Sequence, residues 1–445
     1  MGIAGKKEVR ESVRDSLWAE PARALYTALA CCALPFLPIK LWWRGRREPG
    51  YRQSIGERFG RFGGSALSTP LFWVHAVSVG ETRAAQPLVQ RLKAAYPDAS
   101  ILVSHMTAAG RDAGQMLFGN TVTQVWLPYD VPFAVNAFLD HFRPDAGFLV
   151  ETELWPNLIA AAHSTSIPLF LINARLSERS ARGYARVASL TGPMLRRLSG
   201  VAAQTEDDAA RLARLGAPAP IVTGNLKFDL SVPTQARALA IEFKQRFGVR
   251  RPTWIAASTR DGEEELILDA MSRAQLPATT LTLIVPRHPQ RFDAVADILR
   301  HRGLPFVRRS AGAPVPPDIS IVLGDSMGEM LAYYAAADIA FVGGSLLPFG
   351  AHTLIEPLSV GTPVLIGQYS FNFAEATDNA LAAGAAIRVE NADALLAKVA
   401  YLLVDSSARK KMAGAAHAFH DAHRGATQRL WSWLAPQLIS RSGRD

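Results

Sequence analysis

Short apolar runs recur along this chain, and the spacing leaves room for one helix between each pair. Residues 71–79, 100–105, 124–128, 145–150, 168–173 and 200–204 form one series, and 253–257, 282–285, 320–323, 339–342 and 363–366 form a second. Amphipathic stretches lie between them, such as 82–96, with Ala84, Ala85, Leu88, Leu92 and Ala95 on one face. A strand that is apolar throughout must be covered on both faces. Alternation with helices achieves this in a parallel, doubly wound sheet. Ligands of such sheets sit at the carboxyl ends of the strands. The chain has 445 residues, 49% of them hydrophobic, which is enough for two cores.

Between the two series, residues 231–248 carry no strand pattern, and their alanine-rich middle reads as helix. The expected division is therefore a tail and anchor over 1–48, a first domain over 49–230, a linker over 231–249, a second domain over 250–425 and a helix over 426–445. The amphipathic 426–438 stretch is of a kind that packs back across a cleft between domains.

The net charge of +9 attracts nucleic acid, anionic lipid or a phosphorylated substrate. No zinc finger, aromatic RNA-binding signature or lysine-rich tail occurs, so nucleic acid ranks below lipid and nucleotide. The two cysteines, Cys31 and Cys32, are adjacent. That excludes a disulfide framework and offers no metal-binding spacing, and a reducing, cytoplasmic setting fits. They lie in an uncharged run over 24–39, followed by Lys40, Trp42, Trp43, Arg44, Arg46 and Arg47. Interfacial tryptophans and trailing cations read as a membrane anchor with its basic side in the cytoplasm. The run is shorter than the roughly 20 residues of a straight span, and Pro35 and Pro38 would bend it. A short span and an interfacial helix both fit; the bland reading is a buried helix of a soluble domain.

The strand exits carry the polar groups. Val77-Ser-Val-Gly-Glu81 leaves the first strand; Glu81 opens a helix, where the dipole favours a carboxylate and a base for an attacking hydroxyl. Ser78-x-x-Glu81 also matches a capping box. Glu151-Thr-Glu-Leu-Trp-Pro156 brings two acids out of a buried strand. Two acids there are unusual in a fold that buries few charges, so they have a role in the site or, since Pro156 suits a first helical turn, are first-turn charges. Arg175, Arg179, Arg182 and Arg186 are spaced to share one helical face. That face is either a solvated surface or a site for a phosphate-bearing lipid. Lys227, in Thr223-Gly-Asn-Leu-Lys-Phe-Asp229, follows a strand and can offset developing negative charge.

In the second series, Phe341-Val-Gly-Gly-Ser345 reads as strand and glycine turn. A short helix with Leu354, Ile355 and Leu358 inward follows, and its free N–H groups suit a phosphate. Arg287 and His288 leave another strand, and Asp325-Ser-Met-Gly-Glu329 a third. Ser326-x-x-Glu329 and Thr353-x-x-Glu356 match capping boxes. Together these suggest a nucleoside monophosphate site. Neither a dinucleotide nor a P-loop fingerprint occurs, and no Asp-x-Asp pair is present to hold a nucleotide through a divalent ion.

These motifs, in this order, resemble the 3-deoxy-D-manno-octulosonic acid (Kdo) transferases of lipopolysaccharide synthesis. The resemblance runs from the anchor, with its Trp-Arg-Gly-Arg-Arg47 and Gly-Glu-Arg-Phe-Gly60, through His75-Ala-Val-Ser-Val-Gly-Glu81, Glu151-Thr-Glu-Leu-Trp-Pro156 and Asn173-Ala-Arg175. It continues with Gly224-Asn-Leu-Lys-Phe-Asp229, Pro286-Arg-His288, Asp325-Ser-Met-Gly-Glu329, Gly343-Gly-Ser345 and Phe371-Asn-Phe373. It implies a GT-B fold, two Rossmann-like α/β domains facing a cleft, with an N-terminal membrane-anchor helix. It implies inverting, metal-independent transfer of Kdo from CMP-Kdo to the lipid A precursor at the cytoplasmic face of the inner membrane, with no cofactor and no nucleic-acid partner. Glu81 matches the family's catalytic base, and Glu151 and Lys227 match residues that stabilise the transition state. Pro286, Arg287, Met327, Gly328, Glu329, Thr353, Leu354, Ile355 and Glu356 match the CMP-binding segments. This chain has Gly350-Ala-His-Thr353 where the family usually has Gly-Gly-His-Asn. The competing classes are a membrane-associated GT-B enzyme using a UDP-sugar and a non-catalytic nucleotide-sugar-binding protein.

Overall fold

The computed structural model describes residues 20–46, 48–64, 67–229 and 232–442. The expected tail over 1–19, the anchor's Arg47 and the boundary residues Leu230 and Ser231 lie outside them. The chain divides into two compact units, one made of the residues up to 230 together with 424–445, the other of 231–423.

The first unit is a seven-stranded parallel sheet: β1 (Leu71–His75), β2 (Ser100–His105), β3 (Thr123–Trp126), β4 (Ala146–Val150), β5 (Leu169–Ala174), β6 (Gly200–Ala203) and β7 (Ile221–Val222), in the order β3-β2-β1-β4-β5-β6-β7. Strand order reverses between β1 and β4, and that is where a doubly wound sheet opens a crevice for ligand. Every residue of β1 and β4 is buried, as two-sided coverage requires.

One of the covering helices is Ala426–Ser442. Its Ala426, Leu430, Leu434 and Leu438 join Phe72, Phe148, Phe170 and Leu226 in one apolar cluster. Asp229 anchors its start, accepting hydrogen bonds from the Gly425 and Thr427 N–H groups. The chain thus returns to the core of the first unit.

The second unit repeats the plan with β8 (Thr253–Thr259), β9 (Leu281–Pro286), β10 (Phe306–Arg308), β11 (Ile321–Leu323), β12 (Ile339–Val342), β13 (Val364–Ile366) and β14 (Ala386–Arg388), in the order β10-β11-β9-β8-β12-β13-β14. Its reversal falls between β8 and β12. The stretch expected as a linker is helix Thr234–Phe247. Its Ala240, Phe243 and Phe247 pack with Tyr333 and Tyr334 in this unit's core, so apolar burial makes it part of the domain.

Residues Glu20–Arg44 form a helix long and apolar enough to cross a membrane, with mean hydropathy 1.6 and only 6% of its most apolar window buried. Leu25, Leu29, Phe36, Ile39, Trp42 and Trp43 are exposed, which does not suit a core helix of a soluble domain. The prolines are accommodated by a single 3-10 turn, Leu34–Phe36, before regular helix resumes at Leu37–Arg44. Thr27 Oγ1 donates to Asn157 Oδ1 at 2.9 Å, and Leu41 packs with Tyr51, Ala108 and Trp126.

Candidate active site

In the first unit, Glu81 and Glu151 leave β1 and β4, the two strands that flank the reversal. Ser78 caps helix Val79–Ala95, and the capping box is formed. The Glu81 carboxylate accepts from the Ser78 N–H at 3.3 Å and from Ser78 Oγ at 3.1 Å, and it also accepts from the Val77 N–H. The helix terminus does not fix its charge, contrary to the sequence expectation. Burial, then the charges of Glu151 and Glu153, raise its pKa to about 7 against the pull of the Val77 and Ser78 hydrogen bonds. Burial penalises the charged form more than one helix end favours it.

Glu151 sits at φ 66°, a left-handed conformation that costs a non-glycine residue on the order of 1–3 kcal/mol. Its N–H still pairs with the Ile172 carbonyl, so the backbone turns while held to the sheet. Lys227 Nζ donates to Glu151 Oε1 at 2.6 Å. Asn173 holds the turn that carries this lysine: its Oδ1 accepts from the Leu226 N–H at 2.9 Å. Gly80 brings the start of the Glu81 helix close to Lys227, since a β-carbon there would lie 3.8 Å from Nζ. Glu81, Glu151 and Lys227 are thus brought to one place.

The sequence reading left Glu153 out of the site. Its carboxylate accepts from the Trp155 indole at 3.0 Å and faces the buried His75 Nε2 at 3.8 Å. Its signal is its position two residues after Glu151, where the sequence allows first-turn charge and a role in the site alike. The helix begins only at Pro156 and has no acid in its first turn.

The arginine face is also rearranged. The helix is Glu178–Ala185 with Arg186 as its C-cap, so Arg175 precedes it. Arg179, Arg182 and Arg186 are exposed, and Arg175 is half-buried.

In the second unit, Arg287 follows β9 and His288 follows Arg287. Arg260, which the sequence reading passed over, follows β8. Its Nη1 donates to His288 Nε2 at 2.8 Å, and its guanidinium lies over the Phe349 ring at 4.8 Å. His352 joins them electrostatically. Burial first, then Arg287, Arg260 and His288, push its pKa down to about 3, so at neutral pH it is an uncharged imidazole. Arg287 and Glu356 act with opposite sign on the buried Tyr334 phenol, whose pKa burial raises; both therefore lie near it.

The glycine turn does not offer its N–H groups to a ligand. Buried Glu263 takes them: its carboxylate accepts from Gly344 at 2.6 Å, Ser345 at 3.0 Å, Leu346 at 2.9 Å and Arg260 at 2.9 Å. A carboxylate of the fold itself fills the anion nest. Gly343 is needed for close approach, because a β-carbon would meet the Ser258 carbonyl oxygen at 2.6 Å.

The two capping boxes expected here do not form. Glu329 is itself the N-cap of helix Met330–Ala336; its carboxylate pairs with Arg309 at 2.9 Å and accepts from Ser326 Oγ. Helix Ile355–Ser359 is capped by Leu354 without a side-chain bond, and Thr353 Oγ1 accepts from the Ile355 N–H at 3.3 Å. Leu354 and Ile355 are buried, so only their main chain can touch a ligand. Pro286 is buried at the end of β9, while Met327 and Gly328 are exposed.

Comparison with known proteins gives a consistent result. The family model described as 3-Deoxy-D-manno-octulosonic-acid transferase (kdotransferase) matches residues 53–230, and that described as Glycosyl transferases group 1 matches residues 307–419. The 3-deoxy-D-manno-octulosonic acid transferase of Bordetella pertussis is 43% identical over 432 residues, covering 93% of this chain and 99% of the relative. That of Haemophilus influenzae is 38% identical over 422 residues, covering 94% and 99%. Among solved structures, the UDP-GlcNAc 2-epimerase from Neisseria meningitidis bound to UDP-GlcNAc has a TM-score of 0.57 at 16% identity, covering 82% of this chain and 100% of its own. A glycosyltransferase from Rickettsia africae has 0.55 at 13%, covering 85% and 100%. At such identities the solved structures share the fold, GT-B, and nothing more specific.

Proposed function

The chain belongs to the 3-deoxy-D-manno-octulosonic acid (Kdo) transferase family, and on that premise we propose that it transfers Kdo from CMP-Kdo to the lipid A precursor, lipid IVA, with inversion and without a metal. The second unit holds the donor, with Arg287 and the main chain around Gly328 and Thr353 at the phosphate and Glu329 and Glu356 as acceptors for hydroxyls. The first unit supplies the chemistry. Glu81 takes the proton of the acceptor hydroxyl as that oxygen bonds to the anomeric carbon. The bond from that carbon to the phosphate oxygen breaks, its electron pair leaves with CMP, and attack from the opposite face inverts the centre. Lys227, kept in place by Glu151, offsets charge as it develops.

The observation that carries this reading is the setting of Glu81. A base works best with a pKa near the operating pH, and burial beside two other carboxylates raises Glu81 to about 7. Arg179, Arg182 and Arg186, with Arg175 beside them, face the acceptor's phosphates. Helix Glu20–Arg44 attaches the protein to the inner membrane from the cytoplasmic side, with Arg44 and Arg46 at the headgroups.

Mass spectrometry of the product from purified protein, CMP-Kdo and a tetraacyl lipid A precursor tests this reading. One or more added Kdo units support it. An unmodified acceptor with the parent protein, or undiminished turnover with Glu81→Gln, removes it.

A further inference from the structure

Three arginines of the second unit have acidic partners. Arg291 is held by Asp261 and Glu264, Arg309 by Glu329 and Arg308 by Asp293. Arg260 differs. Among the described residues no carboxylate pairs with its guanidinium, which instead has the His288 ring at one edge and the Phe349 ring beneath it. A guanidinium only donates hydrogen bonds. His288 Nε2 is therefore the acceptor, and its ring is neutral. Burial and the charges of Arg260, Arg287 and Arg291 favour that same neutral form.

Strand register sets the second guanidinium alongside. β8 pairs with β9 with Thr259 opposite Pro286, so Arg260 and Arg287 are the next residues out of two neighbouring strands. His352, from the loop after β12, feels both and stays neutral. Two cations and two neutral imidazoles thus collect at three adjacent strand exits, beside the sheet's reversal. Of the two buried acids that follow β8, Glu263 spends its oxygens on backbone N–H groups and Glu264 on Thr259 and Arg291.

A nucleoside monophosphate ester of a sugar carries one negative charge at its phosphate, and Arg287 can meet it. The second cation calls for a second anion on the same ligand. The sugar moved by this family is an acid, so its donor has a carboxylate close to the phosphate. We infer that Arg260 binds the sugar carboxylate of the donor, with Phe349 and His288 fixing the plane of its guanidinium. This rests on the Kdo-transfer reading. It makes Arg260 the residue that separates a donor with an acidic sugar from one with a neutral sugar, and from the free nucleotide. Planar, bidentate recognition of a carboxylate is what arginine does better than lysine.

The test compares two ligands that differ by the sugar. For parent, Arg260→Gln and Arg260→Lys, CMP affinity is measured by calorimetry, and CMP-Kdo is followed through KM and kcat at saturating acceptor. The Arg260→Gln protein should bind CMP within about twofold of the parent, while its KM for CMP-Kdo rises about tenfold or more, as loss of a charge-assisted pair implies. Arg260→Lys should recover part of that loss. CMP affinity falling in parallel with CMP-Kdo overturns the inference and makes Arg260 a phosphate ligand. Unchanged values for both ligands also overturn it. A misfolded variant would lose CMP binding and the CMP-induced rise in Tm together, and Arg260→Lys then decides by the same comparison. Failure of the Kdo-transfer reading is recognisable separately, because the parent protein itself would not turn over CMP-Kdo.

Discussion

Lys227 Nζ lies 2.6 Å from Glu151 Oε1, although the two stand 76 residues apart in the sequence. The pair lies beside Glu81, the proposed base. Lys227→Met removes a cation that can offset negative charge there and leaves the Glu151 charge without this partner beside Glu81. The expected result is a kcat lower by about 10²–10³-fold, the scale for loss of one electrostatic stabiliser, with little change in donor KM. Single-turnover kinetics at saturating donor measures this.

A base must be unprotonated to act. Turnover should therefore rise with pH through about 7, the value to which burial and the neighbouring acids bring Glu81. A pH–rate profile with an acid limb near the usual carboxylate range, at 4 to 5, would rule this assignment out.

The same shift couples to stability. The fold disfavours the charged form of Glu81, so its cost is absent below the unfolded value near 4.5, grows as pH rises, and is complete above about 7. Glu81→Gln should therefore be more stable than the parent at pH 8, by up to about 3 kcal/mol from the size of the shift. The difference should vanish near pH 4. Urea unfolding at several pH values provides the check.

Glu263 satisfies four N–H groups, two of them fully buried. Glu263→Ala leaves them without partners, and Glu263→Gln turns one amide NH₂ toward donors. Each should destabilise the second unit by about 3 kcal/mol or more, since an unmet buried donor costs roughly 1–3 kcal/mol. The rise in unfolding temperature that CMP produces should be kept, because the anchor lost is that of Gly344 and Arg260 and not of the groups proposed to hold CMP. Thermal unfolding with and without CMP reads both effects.

Arg179, Arg182 and Arg186 can be changed to Gln together without disturbing the core, since all three side chains are exposed. Acceptor KM should rise more than donor KM. Arg175 should be tested alone, because it lies outside the helix. A rise confined to donor KM would refute the acceptor-phosphate assignment.

The long buried strands were legible because they are apolar on both faces; β2 and β12 match the sequence expectation residue for residue. Three strands were not. β7, β10 and β14 have two or three residues each and are mostly half-exposed, so no apolar run marks them. Helix Thr234–Phe247 was seen as a helix but taken for a linker, because only tertiary packing of Phe243 and Phe247 makes it part of a core. In the candidate site, the strand-exit positions of Glu81, Glu151 and Lys227 could be read, and the structure brings the three together. Arg260 could not, because the β8 run was ended at residue 257, two residues short of its true end. The Glu263 nest was out of reach for a different reason: it depends on β8 pairing with β12, strands far apart in sequence.

Helix Ala426–Ser442 has a consequence for biogenesis. During synthesis, a ribosome that has made residues 1–230 has not yet delivered Leu430, Leu434 and Leu438, which complete the apolar cluster over Phe148 and Phe170. The early half waits with an open greasy groove until nearly two hundred further residues have emerged. A nascent chain halted before residue 426 should bind chaperones or the lipid surface, whereas the second unit, continuous in sequence, can mature on its own schedule.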